Sequence, residues 1–150
     1  MKQILITGFE AFGNSTLNPS AEIVLAMSGG SIMTAILPVV FGKSAHMLRG
    51  LIDEYDPDFV LCLGQAEGRK ALTLERVAIN LEDTRMADNS GTFVCNHVFY
   101  SLQDYVKTKP IMSGFMHVPL MDQQGFEFAD LPTMSLEQMI VGVKAALQVL

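Results

Sequence analysis

The sequence predicts a three-layer α/β/α sandwich with a mostly parallel central sheet, on three observations. Short continuous apolar runs with a β-branched bias alternate with amphipathic segments of helical period, in the order β-α-β-α-β. Caps and breakers stand between them, at Asn18-Pro19, Gly29-Gly30 and Asp56-Pro57-Asp58. The chain has 150 residues, 49% of them hydrophobic and 17% charged, which suits one folded core and not a disordered chain.

Residues 3–7 form the first buried strand. Asn18 caps a helix with Pro19 at its first position, and the helix continues over 21–27 until the glycine pair. Residues 32–40 form a second strand with Pro38 near its end. Residues 44–55 repeat apolar groups at Met47, Leu48, Leu51 and Ile52, a helical stripe. Residues 59–63 are a third buried strand. Residues 72–81 are strand-like, with Leu74, Val77, Ile79 and Leu81 among polar neighbours. Residues 93–105 read as a helix, and 115–118 as a strand. Ser135 with Gln138 makes a capping box. It opens a last helix that buries Met139, Ile140, Val143, Leu147 and Leu150. No repeat or linker divides the chain, so one domain is expected.

The net charge is −6 and no Lys/Arg cluster occurs, which argues against nucleic acid and an anionic membrane surface as partners. No apolar stretch has transmembrane length, and Ile4-Leu5-Ile6 is too short for a signal-peptide core. Two cysteines without a secretory signal suggest a reducing compartment, so a cytoplasmic location is expected. No His or Cys pair has metal-ligand spacing.

Gly8 to Ser15 follows the first strand with phosphate-loop spacing, but Asn14 stands where the phosphate lysine belongs and Glu10 would repel an anion. Phe9 and Phe12 on this turn suit the wall of an apolar pocket at the sheet's C-terminal edge. Cys62 sits inside a buried strand and reads as a small hydrophobe. Cys95 reads as a helix-start cysteine, where amide groups lower a thiol's pKa and can hold an oxyanion. Of the histidines, His97 is two residues from Cys95 and so on another helix face, and His46 reads as a surface residue. His117 emerges at a strand end, where catalytic groups gather, although a satisfied core histidine competes with that reading. Glu75 could orient a histidine, or pair with Arg69 or Arg76.

Taken together these fragments resemble the pyroglutamyl-peptidase I family of cysteine peptidases, the pyrrolidone-carboxyl peptidases. Gly8-Phe9-Glu10-Ala11-Phe12-Gly13 through Asn18-Pro19-Ser20 resembles the family's N-terminal signature. Leu37-Pro38-Val39-Val40-Phe41 and Gly64-Gln65-Ala66-Glu67-Gly68-Arg69 are similar to its next loops. Leu74-Glu75-Arg76-Val77-Ala78-Ile79-Asn80, Gly91-Thr92-Phe93-Val94-Cys95-Asn96 and Ser113-Gly114-Phe115-Met116-His117-Val118-Pro119 resemble its glutamate, cysteine and histidine signatures. The resemblance implies hydrolysis of N-terminal pyroglutamyl peptides with Cys95 as nucleophile, His117 as base and Glu75 as its orienter. It implies that Phe9, Phe12 and Phe93 sandwich the lactam, with hydrogen bonds from Gln65 and Asn18 and with Arg85 near the oxyanion. It also implies no cofactor and a homotetramer. A catalytically inactive homologue, or a small-molecule-binding α/β module, is the alternative. Rapid alkylation of Cys95 with slow alkylation of Cys62 is expected of the enzyme. Between Asn89 and Ser90 the family carries several dozen further residues, including the strand that delivers the cysteine. Either the protein lacks them or they are left out of this sequence; omission is expected, because losing a parallel strand from a sheet interior would leave Cys95 unpositioned.

Overall fold

The structure is a computed structural model. It describes residues 1–76 and 90–149, with their side chains apart from those of 90–93. The elements are β1 (Ile4–Phe9), α1 (Pro19–Met27), β2 (Ile32–Leu37), α2 (Lys43–Tyr55), β3 (Phe59–Gln65), β4 (Thr73–Glu75), α3 (Ser90–Val106), β5 (Met112–Val118), β6 (Leu120–Met121), β7 (Thr133–Met134) and α4 (Leu136–Gln148). One 3-10 turn covers Asp122–Gln124. Strands run in the order β2-β1-β3-β5-β4, parallel except for β4, which is antiparallel to β5 at the edge.

Strand alternation divides the core in two. Val60 and Cys62 of β3 face the cluster shared with Leu48 and Ile52 of α2 and Val98 and Leu102 of α3. Leu61 and Leu63 face the cluster shared with Ile23 and Val24 of α1 and Met139 and Val143 of α4. The expected three layers follow directly. No helix among the described residues is long and apolar enough to cross a membrane.

Local chemistry sets the ends. Asn18 Oδ1 accepts from the Ser20 N–H at 3.0 Å, and Pro19 opens α1. β2 stops at Leu37, short of the predicted residue 40, because Pro38 has no N–H to continue the ladder. In α2 the buried stripe is Ser44, Ala45, Leu48 and Ile52, and Met47 is exposed. Ser135 Oγ accepts from the Gln138 N–H at 3.2 Å at the start of α4. Met139 and Val143 are buried there, Ile140 and Leu147 pack partly against the core, and Leu150 lies outside the described residues. Of the predicted strand over 72–81, residues 73–75 form β4 and 77–81 lie outside the described residues. The β6–β7 pair, two residues in each strand, is too short to leave a periodic signal.

One expectation about Cys95 is corrected. α3 starts at Ser90, so Cys95 is its sixth residue and lies beyond the free N–H groups of the first turn. The structure positions it without the family segment. β3 pairs directly with β5 over seven residue pairs, from Phe59–Met112 to Gln65–Val118, and α3 packs Cys95 into the core across them.

Candidate active site

Three strands bring the site together on one sheet face. Gly64 of β3 lies opposite His117 of β5, and Cys62 opposite Phe115. On the other side of β5, Thr73 lies opposite His117 and Glu75 opposite Phe115. Partners in register share a face, so Glu75 reaches diagonally to the imidazole. Its Oε1 is 2.7 Å from His117 Nδ1. The Phe115 ring packs at 4.9 Å from the imidazole centroid and holds it from the strand side.

α3 lies across this face. A Cβ built on Gly64 would stand 2.6 Å from Cys95 Sγ and 3.0 Å from the Phe115 ring, so only glycine lets the sulfur settle on the sheet. A cavity of about 170 Å³ opens beside it, lined by Arg69, Glu75, Cys95, Asn96, Phe99, Phe115 and His117.

The carboxylate fixes the tautomer. With Nδ1 donating to Glu75, Nε2 carries the lone pair, an assignment inferred from the bonding pattern. Nε2 is buried and has no hydrogen-bond partner among the described residues. Cys95 therefore shares the cavity with the imidazole without being bonded to it. Burial holds the His117 pKa below the ordinary 6.5, Glu75 opposes that shift, and Arg69 adds to it. Burial pushes the Cys95 thiol well above its ordinary range, and Cys62 and Glu75 push the same way. Burial also pushes Cys62 up to about 12, offset in part by the Thr7 hydroxyl, which has no other partner. The low-pKa thiol expected of a helix-start cysteine is thus corrected, for Cys95 is 3% exposed and sits in the second turn.

The structure gathers Cys95, His117 and Glu75 around one cavity, and Phe9, Phe12, Asn18 and Gln65 are not among the residues lining it. Phe9 is buried in the core cluster of Cys95, and Phe12 is half-buried; neither lines the cavity. Asn18 is spent on its own turn, accepting from Ser20 and donating to the Glu10 carbonyl. Gln65 follows Leu63 onto the α1/α4 side of the sheet, where its Oε1 accepts from Gln124 Nε2 at 3.0 Å. Arg85 and the Phe93 side chain lie outside the described residues. His97 stands edge-on to Phe41 and His46 is exposed, as their spacing suggested.

Sequence reasoning missed Phe99 and Phe115 as lining groups. Both were within reach, since Phe99 is one helical turn from Cys95 and Phe115 is two strand residues from His117. It also missed Gln124, which is fully buried and bonds Gln65, Ser15, the Leu17 carbonyl and the Met121 N–H.

Comparison with known proteins agrees with this geometry. The sequence model described as "Pyroglutamyl peptidase" matches residues 2–92 and 89–150. The chain is 36% identical over 197 residues to the pyrrolidone-carboxylate peptidase of Vibrio parahaemolyticus, covering 99% of this chain and 92% of that one. It is 33% identical over 199 residues to the enzyme of that name from Bacillus cytotoxicus, covering 99% and 93%. These alignments are longer than the 150 residues here, so part of each relative faces no residue of this chain. The crystal structure of pyroglutamyl peptidase I from Bacillus amyloliquefaciens superposes with a TM-score of 0.88 at 33% identity, covering 95% of this chain and 91% of that one. With both parts of the sequence model matched in order, and relatives of this identity spanning it throughout, the chain belongs to the pyroglutamyl peptidase family.

Proposed function

We propose that this chain is a cysteine peptidase that releases an N-terminal pyroglutamyl residue from peptides, with Cys95 as nucleophile, His117 as base and Glu75 as orienter. One observation carries the assignment of roles. His117 is anchored at Nδ1 by Glu75, its buried Nε2 has no hydrogen-bond partner among the described residues, and the residue lines one cavity with Cys95. Burial keeps both thiol and imidazole neutral at rest, so His117 takes the thiol proton as sulfur attacks the pyroglutamyl carbonyl. The same proton passes to the leaving amine, giving a thioester. Water then attacks the thioester, again losing its proton to Nε2, and the thiol is restored.

Pyroglutamate is a small, uncharged ring with no free amine. A cavity of about 150 Å³ holds one aromatic ring, so about 170 Å³ suits a single small lactam. Phe99 and Phe115 are its walls. The resemblance adds Phe9, Phe12, Phe93, Asn18, Gln65 and Arg85 as further substrate groups. We read the chain as a single domain in which the two matched parts of the family meet near 89–90. A cytoplasmic homotetramer is the assembly the resemblance implies, and sedimentation of the purified protein tests it.

The test is turnover of a pyroglutamyl reporter against its prolyl analogue, on protein of intact mass 16.4 kDa. A prolyl analogue brings a charged amine and lacks the lactam carbonyl, so the groups that would hold the lactam go unpaired and kcat/KM should fall by roughly 10⁴-fold. Comparable rates would overturn the reading. The missing Cys95–His117 hydrogen bond favours a second reading, an inactive homologue that only binds such peptides. Saturable reporter binding without turnover would select it.

A further inference from the structure

The Glu75 carboxylate has two neighbours, and only one has been given a role. Arg69 Nη2 lies 3.0 Å from the same Oε1 that meets His117. Its Nη1 donates to Thr73 Oγ1 at 2.7 Å. Thr73 and Glu75 are alternate residues of β4, a strand of only three residues at the sheet edge. Gly68, with φ +79, turns the chain just before Arg69 and so returns the guanidinium to β4. We infer that Arg69 is a positioning residue of this site: one planar guanidinium bridges Thr73 and Glu75 and holds the carboxylate in the single geometry that anchors His117. This rests on the proposed roles of Glu75 and His117.

Three features separate this from an ordinary surface ion pair. Arg69 lines the cavity together with the pair it would brace. Its two nitrogens engage two residues of one strand, which a point charge on a flexible stem could not do as well. Its side chain is 40% exposed, and pairs at that exposure contribute little to folding, so its loss should act on the site more than on stability.

An electrostatic consequence follows. Among the described residues the charged groups facing His117 are Glu75 from β4, which favours the imidazolium, and Arg69 from the β3–β4 loop, which opposes it. Cys95 from α3 faces the same cavity, with Cys62 on β3 behind it, and both thiols are held neutral by burial. Removing Arg69 leaves Glu75 unopposed, so the imidazole should hold its proton to higher pH.

The experiment uses Arg69→Gln and Arg69→Lys in the full chain. Residues that hold a functional side chain in place typically change activity by about 10–100-fold when removed, so R69Q should lower kcat by roughly that factor with KM little changed. The acid limb of its kcat/KM profile should move to higher pH. R69K should return the limb toward the parent position while recovering kcat only in part, because it restores the charge without the fork. A merely structural residue would shift neither limb. The His117 imidazole resonance, titrated by NMR, gives the same reading without turnover: its pKa should rise in R69Q and fall back in R69K. Profiles and titrations that superimpose on the parent would overturn the inference, as would a loss confined to KM. Failure of the peptidase reading would instead appear as an inactive parent whose His117 titration still responds to R69Q.

Discussion

Cys62 and Cys95 belong to the same core cluster, one on the central strand β3 and one on the helix packed across it. Neither is more than 3% exposed, and burial raises both thiols. What differs is the neighbourhood. Cys62 faces the Thr7 hydroxyl within closely packed strands and is not among the residues that line the cavity beside Cys95. Cys95 borders that cavity together with an anchored imidazole whose Nε2 has no hydrogen-bond partner among the described residues. The contrast teaches that acidity at rest does not single out the proposed nucleophile. A cavity beside the sulfur and an imidazole lining that cavity do, which suits general-base activation more than a standing thiolate.

The largest test of the contrast is mutational. Cys95→Ser should lower reporter hydrolysis by roughly four orders of magnitude or more, and His117→Ala should do the same. Cys62→Ser should keep most of the parent kcat/KM, as should His97→Ala. Equal losses in the two cysteine variants, or a crippling loss at His97, would break the comparison.

A second test acts on the packing that places the sulfur. Gly64→Ala puts a methyl 2.6 Å from Cys95 Sγ and against the Phe115 ring, so the helix or the ring must shift. Overpacking of this kind costs about 1–3 kcal/mol, and kcat should fall with it. Gly114→Ala, on β5, meets Leu61 and Phe59 only at 3.8 and 3.9 Å, an ordinary contact. It should leave the denaturation midpoint and kcat/KM nearly unchanged. If both alanines behave alike, the close approach at Gly64 is not what positions Cys95.

The fold was largely legible because its signals are local: apolar strands, an Asn-Pro cap at α1 and a Ser cap at α4. That Cys95, His117 and Glu75 come together at one cavity was legible through family signatures, and the strand-end context of His117 agreed with them. Less legible were contacts that depend on tertiary register. Nothing local tells that Gln65 turns to the α1/α4 side to meet Gln124, 59 residues away. Nor does local sequence tell that Arg69 and His117 share one oxygen of Glu75. The helix-start reading of Cys95 failed because α3 begins five residues earlier, which places the thiol where the helix ladder is complete and the core is closed.

The smallest effect expected is in alkylation of the native protein, and its pH dependence sharpens the comparison most. A helix-start thiolate would label rapidly at neutral pH. With both thiols raised by burial, Cys95 and Cys62 should instead both label slowly near pH 7, since only the thiolate fraction reacts, and any lead of Cys95 should come from the cavity and imidazole beside it. The sign of the pH dependence follows from His117. Its pKa lies below the ordinary 6.5, so it is neutral at pH 7 and able to accept the thiol proton. As pH falls through that lowered pKa the imidazole gains a proton of its own, and that route closes. Cys95 labelling should therefore decline along the His117 titration, and His117→Ala should remove that step. Cys62 has no such base, and its labelling should track only its own ionisation near 12. Mass spectrometry of the two labelled peptides, sampled across pH, reads both rates at once. If Cys95 still labelled fast well below pH 6, the resting site would be a thiolate–imidazolium pair, and the neutral pair inferred from burial would be wrong.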